Sequence, residues 1–512
     1  MARFSTTKAQ LSGYRLMVRQ IDQAFSSRTS LLQNSPLSTQ TLMIIVGLFV
    51  ACLIPACGFF MSYFSPRADQ NGANIIITKS GGLYVMFDGA LHPATNLASA
   101  RLIVGKPDNP KVVKDSALAG QPRGQLMGVP SGPNNLTQRS DDTAKWTVCD
   151  KHTDETDLSL TKADSLTTTL FAGTDSMTST VAPLSVNDAV VVKLASDPHQ
   201  LWVVYNGSRV GVGAQDMATR AALGLTPRMV DAAIPISEGL FNAIPAAPAL
   251  KTPYIANRGQ VNPALPQVTN GDVIITGSVD GTRRYQVALE DGVQQISQFI
   301  AQLLINTGSK EVTTLDATTV SAAPLASDID VRLYPDHAPN FREPHVLCWS
   351  WERGAKDLRA STTILTAESL PIAPERANQV VDLLKPTGTV VSASASLTTP
   401  GKGWFVRVTG ASPTSHANEQ LMWIDDTGVR YFIGPGSQGK YDSTIKALGI
   451  GTRDPLPIPW QIAKLYAPGS TLSREAALTY HTLLPDDLHQ KAIPENPPQA
   501  VGADQAPVAV GR

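Results

Sequence analysis

The chain of 512 residues has little of the chemistry that marks common enzymes and nucleic-acid-binding proteins. Its formal charge is only −1, so no basic stripe suggests nucleic acid and no acidic excess suggests a cation store. The eight histidines are scattered without the spacing of metal ligands, and no G-x-S-x-G sequence predicts a serine nucleophile. We therefore expect no metal site, no nucleic-acid partner and no catalytic residue that the sequence alone can assign.

Cysteine is scarce as well, because the chain has only four. Cys52 and Cys57 lie within an apolar run, where cysteine serves as a small apolar side chain. Cys149 and Cys348 remain, and in an oxidising compartment two lone cysteines most simply form a disulfide. Two separate buried thiols are the alternative. A bond would place the segments around these two residues in one domain.

A long uncharged run, residues 42–64, is the strongest feature that is present. At about 1.5 Å per residue a helix of this length reaches roughly 34 Å, enough for a hydrocarbon core of ~30 Å. We therefore predict a single transmembrane helix over residues 42–64, kinked at Pro55. A lipoprotein signal at Cys57 and a cleaved signal peptide fit less well, because apolar residues continue past Cys57 and the charged region before the run is too long.

Basic residues before this run predict its orientation. Five basic side chains precede it against one acidic side chain: Arg3, Lys8, Arg15, Arg19 and Arg28 against Asp22. Because basic flanks stay on the cytoplasmic side of a membrane, the N-terminus is predicted to be cytoplasmic and residues 65–512 to be exported.

The cytoplasmic segment contains the pattern of an amphipathic helix. Its apolar face consists of Leu11, Tyr14, Val18, Ile21 and Phe25, which are three or four residues apart. An isolated helix cannot bury such a face by itself. The face is therefore predicted to lie on the lipid surface or to dock on a partner protein, and docking is the preferred interpretation.

One local pattern occurs four times after the apolar run, in a chain with 6% aromatic residues but 37 prolines and 38 glycines. Each copy reads as a strand, a tight turn ending in glycine (Gly89, Gly207, Gly292 or Gly428), a second strand and a helix. Asp-Gly and Asn-Gly are strong hairpin signals, because both turn residues need positive φ. The copies are too unevenly spaced for a close-stacked solenoid. We predict four small ββα-type repeats with other chain inserted between them.

The predicted fold class is α+β, with a single transmembrane helix and an elongated exported domain of four repeats around a central β domain stapled by Cys149 and Cys348. The segments are a cytoplasmic segment (1–41), the transmembrane helix (42–64), a linker with repeat 1 (65–119), the first stretch of the central domain (120–198), repeat 2 (199–232), a Pro-rich connection (233–270), repeat 3 (271–310), the second stretch of the central domain (311–418), repeat 4 (419–484) and a disordered Pro-rich tail (485–512). Repeats 1 and 2 are expected on one side of the central domain, and repeats 3 and 4 on the other.

A possible phosphate loop lies at residues 434–440, which satisfy G-x-x-x-x-G-K. Gly434, Gly439 and Lys440 are its candidate nucleotide-binding residues. Tyr441 follows, however, where a Ser or Thr should hold Mg²⁺, and the preceding strand belongs to a predicted hairpin and not to a parallel βαβ unit. A Gly-rich loop that joins a strand to a helix is the preferred interpretation.

Several stretches in order along nearly the whole chain resemble one known family. They are LSGYR at 11–15, LASARLIVG at 97–105, PRG at 122–124, GVP at 128–130, WTVCD at 146–150, SEGLFNAIP at 237–245, DTGVRY at 426–431, PW at 459–460 and LSREAAL at 472–478. On these stretches the chain resembles the EccB family, the single-pass membrane component of the actinobacterial type VII, or ESX, secretion systems.

The resemblance implies a place in an inner-membrane complex with the EccC, EccD and EccE proteins, and a periplasmic region made of four repeats with one disulfide. It also implies ATP as a possible ligand, because members of the family are described as ATPases. A structural subunit that self-associates is the preferred function. An exported ATP hydrolase that uses Lys440 and a cell-wall-binding repeat protein are the alternatives.

Overall fold

The computed structural model describes residues 7–27, 37–64, 73–152, 166–174, 177–213, 215–277, 281–354, 356–383, 391–416, 420–436 and 439–484. It divides the chain into two compact units, Met1–Asn71 and Gly72–Arg512. The predicted tail, residues 485–512, lies outside the described residues.

The first unit contains two helices, α1 (Lys8–Ser27) and α2 (Leu37–Phe64). A capping box starts α1, since the Thr7 hydroxyl accepts from the Gln10 amide and the Gln10 side chain accepts from the Thr7 amide. Pro55 lies inside α2. Among the described residues, no helix is both long enough and apolar enough to cross a bilayer. The single span over residues 42–64 therefore stays a prediction.

The second unit begins with a sheet of four strands. Its elements are β1 (Ile75–Thr78), β2 (Leu83–Phe87), β3 (Ala90–Pro93), α3 (Leu97–Val104) and β4 (Lys111–Val113). The strand order is β3-β2-β1-β4, in which β4 lies parallel to β1 and the other pairs are antiparallel. The β2–β3 turn places Asp88 and Gly89 at φ 48° and 73°, the positive values that a two-residue hairpin turn requires.

The next segment contributes to three sheets. Its elements are β5 (Leu126–Met127), β6 (Thr143–His152), β7 (Leu166–Ala172), β8 (Ala182–Pro183), β9 (Asp188–Leu194), β10 (Asp197–Tyr205), β11 (Ser208–Val212), α4 (Met217–Leu223), α5 (Pro227–Asp231), β12 (Ile234–Ile236) and α6 (Glu238–Ala243). Strands β9 to β12 form a sheet in the order β11-β10-β9-β12, again with the last strand parallel to the first.

The middle of the chain repeats this order and then returns to the central sheet. Its elements are β13 (Val273–Gly277), β14 (Arg283–Leu289), β15 (Gly292–Ile296), α7 (Gln298–Asn306), β16 (Glu311–Val312), α8 (Ala317–Ala322), β17 (Asn340–Arg342), β18 (Val346–Gly354), β19 (Ser361–Ala367), β20 (Val380–Asp382) and β21 (Ala395–Leu397). Strands β13 to β16 form the sheet β15-β14-β13-β16, and β17 joins β9.

The last described segment forms a five-stranded sheet. Its elements are β22 (Trp404–Thr409), β23 (Leu421–Ile424), β24 (Val429–Phe432), α9 (Asp442–Leu448), β25 (Leu456–Pro459), α10 (Trp460–Ala463), β26 (Ala467–Pro468), α11 (Arg474–Ala477) and β27 (Tyr480–His481). The strand order is β25-β22-β23-β24-β26, with β25 parallel to β22. The short strand β27 pairs with β5.

A single seven-stranded sheet, β20-β21-β7-β6-β18-β19-β8, joins the two halves of the second unit. Trp146, Trp349 and Trp351 are fully buried beside it. The Trp146 indole also donates to the carbonyl oxygen of Pro457 in β25, at 2.9 Å, so the central sheet and the last sheet share one core.

Four of the sheets in the described residues have a similar order of elements: three antiparallel strands, one helix (two, α4 and α5, in the second sheet), and a strand parallel to the first. We call these units modules 1 to 4, begun by β1, β9, β13 and β22. Each contains two antiparallel strands followed by a helix, with one strand before them and one after the helix. That the modules are four copies of one repeat stays a prediction. The loops between first and second strands differ in length, so no repeated sequence pattern marks the first strand. Residues 188–194 and 404–409 therefore lie in modules 2 and 4, whereas the sequence analysis assigned them to the central domain.

The modules pack in pairs that differ from the expected arrangement. Modules 1 and 4 share a core in which Leu102 of α3 and Leu448 of α9 are fully buried. Modules 2 and 3 share another, which contains Leu223 of α4 and Phe299 of α7. The expectation that modules 1 and 2 lie together is wrong, because the apolar faces of the helices match the first module to the last.

Candidate functional site

The disulfide lies at the centre of the seven-stranded sheet. Cys149 of β6 and Cys348 of β18 are direct partners in the antiparallel register of these strands, and both side chains are fully buried. Their sulfur atoms are bonded, across a sequence separation of 199 residues. The predicted pairing is confirmed, and it fixes the two separate halves of the central sheet to each other.

A buried carboxylate follows the first cysteine. Asp150 accepts hydrogen bonds from the Thr168 hydroxyl (2.7 Å), the Ser237 amide (2.6 Å) and the Ser237 hydroxyl (3.0 Å). Burial raises its pKa to about 6, although these hydrogen bonds favour the ionised form. Ser237 also caps α6, since its hydroxyl accepts from the Leu240 amide at 3.1 Å. Asp150 therefore holds the start of α6 against the sheet beside the disulfide.

Sequence reasoning did not assign a role to Asp150. Its only signal was membership of the WTVCD stretch, and nothing local relates this stretch to Ser237, which is 87 positions away. A buried aspartate without a cation beside it is recognised only when the fold brings its donors together.

One arginine fixes the contact between modules 1 and 4. Arg101 of α3 donates to the carbonyl oxygen of Leu448, at 2.8 Å, and also to Asp108 and Asn109 in its own module. Leu448 is the last residue of α9, and its carbonyl is one of those that a helix leaves without a partner. Burial lowers the pKa of Arg101, and the Asp108 carboxylate opposes this shift. The guanidinium thus supplies a cation where the helix dipole is negative.

The glycine-rich loop is held by its own backbone. The amide of Gly434 donates to Leu472 (2.8 Å), that of Gly436 to Lys440 (2.8 Å), and that of Gly439 to Gly436 (3.2 Å). Residues 437–438 lie outside the described residues. A phosphate cradle needs backbone amides that point at the ligand. The amides of these three glycines are instead bonded within the protein.

The helix after this loop also differs from that of a phosphate site. α9 has an acidic residue, Asp442, in its first turn, and the strand before the loop, β24, pairs antiparallel with β23. A carboxylate at a helix N-terminus repels the phosphate that would bind there. Nucleotide binding by Gly434, Gly439 and Lys440 stays a prediction, and this geometry does not favour it.

The predicted docking face lies on α1. Leu11, Tyr14, Val18, Ile21 and Phe25 are all exposed, Tyr14 to 67% and Phe25 to 88%. Within the unit Met1–Asn71, none of these five side chains is covered by another described segment of the chain. Their role in docking stays a prediction.

Taken together, the fold and these contacts define a modular class of α+β protein: small modules held on a disulfide-linked sheet, preceded in the chain by an amphipathic helix. Comparison with known proteins gives the particular family. Residues 3–486 match the family model described as type VII secretion system ESX-1, transport TM domain B. The chain belongs to this family, the EccB proteins.

Relatives and solved structures match over most of the chain. The ESX-5 secretion system ATPase EccB5 of Mycobacterium tuberculosis (strain CDC 1551 / Oshkosh) is 34% identical over 492 residues, which cover 94% of this chain and 95% of the relative. A chain in the structure of an intact ESX-5 inner membrane complex has a TM-score of 0.72 and 32% identity, covering 96% of this chain and 99% of that one. The structure of an EccB3 dimer from the ESX-3 core complex has a TM-score of 0.67 and 34% identity, covering 79% and 100%.

Proposed function

We propose that this protein is a structural core subunit of a type VII (ESX) secretion complex in the bacterial inner membrane. The observation that carries the proposal is the likeness, along almost the whole chain, to a chain of the intact ESX-5 inner membrane complex. EccC, EccD and EccE proteins of the same system are the proposed partners. The buried disulfide sheet and the paired modules supply the rigid framework that such a subunit needs.

The proposed anchor is α2, as a single-pass transmembrane helix over residues 42–64 with a cytoplasmic N-terminus and a periplasmic C-terminal domain. Two observations support it. Residues 42–64 carry no charge, and the large apolar side chains described between Leu42 and Ile54 are exposed. Exposed apolar side chains all around a helix suit lipid better than water.

The proposed docking element is the apolar face of α1. An apolar face that no described segment of its own unit covers gains most by packing against another protein. EccC, EccD or EccE would cover it on the cytoplasmic side, and the basic residues Arg15 and Arg19 lie off this face.

Self-association is proposed for the periplasmic domain, in line with the EccB3 dimer to which the chain is similar. Modules 1 to 4 serve as four structural repeats around the central sheet. This arrangement leaves the outer faces of the modules free to contact other copies, while the disulfide and Arg101 keep the domain rigid.

Hydrolysis of ATP is a second candidate function, because the relatives carry the word ATPase in their names. Lys440, with Gly434 and Gly439, is the candidate site. For this loop to hold a phosphate, the backbone bonds of Gly434, Gly436 and Gly439 would have to open, which is why the structural role is the main proposal.

The mass and composition of the purified complex test the main proposal. The full-length protein is tagged after Arg512, extracted from membranes in mild detergent, and its companions are identified by mass spectrometry. We expect a large particle that contains EccC and EccD proteins of one system. A stable monomer or dimer without companions would contradict the structural role.

A further inference from the structure

A polar cleft lies between modules 2 and 3, away from the disulfide, the glycine-rich loop and the Arg101 contact. Its volume is about 880 Å³, within the range of ligand-binding clefts. One side is the β10–β11 turn at Tyr205 and Asn206. The other side is the start of β14 at Arg283, Arg284 and Tyr285, and residues 331–339 line much of the remainder.

Three arginines line this cleft: Arg283, Arg284 and Arg332. Arg283 and Arg284 are exposed, and within the described residues neither has an ion pair or a side-chain hydrogen bond. Arg332 differs, because its guanidinium pairs with Asp330 at 2.9 Å. Asp336 is the one acidic residue among the described side chains that line the cleft. Two exposed guanidinium groups, neither paired with another described side chain, make a local site for anions in a chain of net charge −1.

Aromatic and amide side chains accompany the arginines. Tyr205, Tyr285 and Tyr334 line the cleft, and burial raises the pKa of Tyr205 and of Tyr334. Val186 adds an exposed apolar contact. The amide side chains belong to Asn187, Asn206, Gln295 and Gln298. Tyrosines, arginines and adaptable amides are the side chains that proteins use to bind other polypeptides.

We propose that this cleft binds an extended, acidic peptide segment of a partner protein. Arg283 and Arg284 would each hold a carboxylate through paired N–H donors. The amide side chains would bond the backbone of the peptide, and the tyrosine rings and Val186 would pack on its side chains. The cleft is open to solvent, so a chain can enter and leave it without threading.

A phosphate ligand fits less well. Phosphate sites commonly use the free amides at a helix N-terminus. Here α7 begins beside the cleft, but two of its first amides are already engaged: that of Phe299 donates to the Asp336 carbonyl (3.3 Å) and that of Ile300 to the Ser297 hydroxyl (3.2 Å). The remaining donors are side chains that come from separate segments on both sides, which suits an extended ligand.

Fluorescence anisotropy with the full-length protein in detergent tests the proposal. The probe is a short labelled peptide of alternating Glu and Ala, and the neutral comparison replaces Glu by Gln. We expect the wild type to bind the Glu peptide and not the Gln peptide. The affinity for the Glu peptide should fall about tenfold or more in Arg283→Gln/Arg284→Gln, since two charge-assisted contacts disappear. Arg283→Lys/Arg284→Lys keeps the charge without the paired donors and should lose a smaller share of the affinity.

The matched control is Arg123→Gln/Arg228→Gln, which changes the charge equally at two exposed arginines outside the cleft. It should bind the peptide within about twofold of the wild type. An equal loss of peptide affinity in the cleft variant and in the control variant would overturn the proposal. So would displacement of the Glu peptide from the wild type by inorganic phosphate, at a concentration that does not change the anisotropy measured with Arg283→Gln/Arg284→Gln. Thermal unfolding of all variants checks folding. Peptide binding is measured without companions, so its failure leaves the structural role untouched.

Discussion

The guanidinium of Arg101 donates to the carbonyl oxygen of Leu448 across 347 positions of sequence. This bond joins the first module to the last at the end of α9, where the carbonyl oxygen would otherwise be buried without a donor. It is thus both a hydrogen bond and a charge placed at the negative end of a helix.

Arg101→Ala should weaken the contact between modules 1 and 4. A hydrogen bond that involves a charged group contributes about 1.5–3 kcal/mol when it is buried, and less at this half-buried guanidinium. Its loss leaves the Leu448 carbonyl without this donor. Hydrogen exchange should therefore become faster in α9 and α3, while modules 2 and 3 keep their protection. Arg123→Ala, at an exposed position, is the control. Unchanged protection of α9 in the Arg101 variant would contradict this role.

Loss of the disulfide should destabilise the central sheet. The chain-entropy model gives at most roughly 5 kcal/mol for a closed loop of this size. We expect a clearly lower thermal midpoint for Cys149→Ser/Cys348→Ser, with a midpoint that no longer responds to reductant. Cys52→Ser should behave as the wild type. The wild type is also unfolded in the presence of reductant, so that the buried disulfide can be reduced. A thermal midpoint equal to that measured without reductant would count against the expectation.

The buried carboxylate of Asp150 predicts a pH dependence of stability. Its pKa is about 6 in the folded protein and 3.8 in the unfolded chain, so the folded state holds the proton more tightly. The resulting stabilisation is complete below pH 3.8 and is lost as the pH rises through about 6. It amounts to about 3 kcal/mol at most.

Asp150→Asn removes this titration. Lowering the pH from about 7.5 to about 4.5 should raise the unfolding free energy of the wild type by a few kcal/mol relative to that of the variant. The size of this change should be roughly in line with the shift in pKa. Denaturant unfolding at a series of pH values measures it. Parallel curves for the two proteins would show that Asp150 does not titrate in this range.

Lys440→Ala tests the nucleotide site. Because the amides of Gly434, Gly436 and Gly439 are bonded within the protein, we expect no change in secretion and none in ATP turnover by the purified protein. Lys446→Ala, in the helix that follows, is the matched control. A loss of turnover of about tenfold or more in the Lys440 variant alone would favour the enzyme.

Leu11→Asp/Val18→Asp tests the docking face of α1. Two buried charges would disrupt an apolar contact, so EccC and EccD proteins should be lost from the tagged complex. Leu16→Asp is the control, since at about 100° per residue Leu16 lies on the opposite face. All variants should remain in the membrane fraction. Retention of every companion by the double variant would exclude this face as the docking surface.

Local features of the fold were readable from the sequence. Asp88-Gly89 and Asn206-Gly207 identified two hairpins because their positive φ values favour these residues strongly. Glycine after leucine identified the ends of α4 and α9, where Gly224 and Gly449 have φ of 73° and 75°. The two lone cysteines identified the paired strands of the central sheet.

Relationships between distant segments were not readable. The pairing of module 1 with module 4 depends on which helix faces match in shape, and neither α3 nor α9 carries a local signal for its partner. The first strands β9 and β22 pair through loops of unequal length, so residues 188–194 and 404–409 were placed in the wrong domain. The role of Asp150 depends on hydrogen bonds from Ser237, which is 87 positions away in the sequence.

Modules 2 and 3 pair within the interval that separates modules 1 and 4. The ribosome therefore makes module 1 first but supplies its partner last. At a synthesis rate of about 5–20 residues per second, α9 is made roughly 20 to 70 seconds after Leu102 and Ile103 of α3. During that time their apolar surface needs a chaperone or the membrane to keep it from aggregating, whereas modules 2 and 3 can close while the chain is still being made.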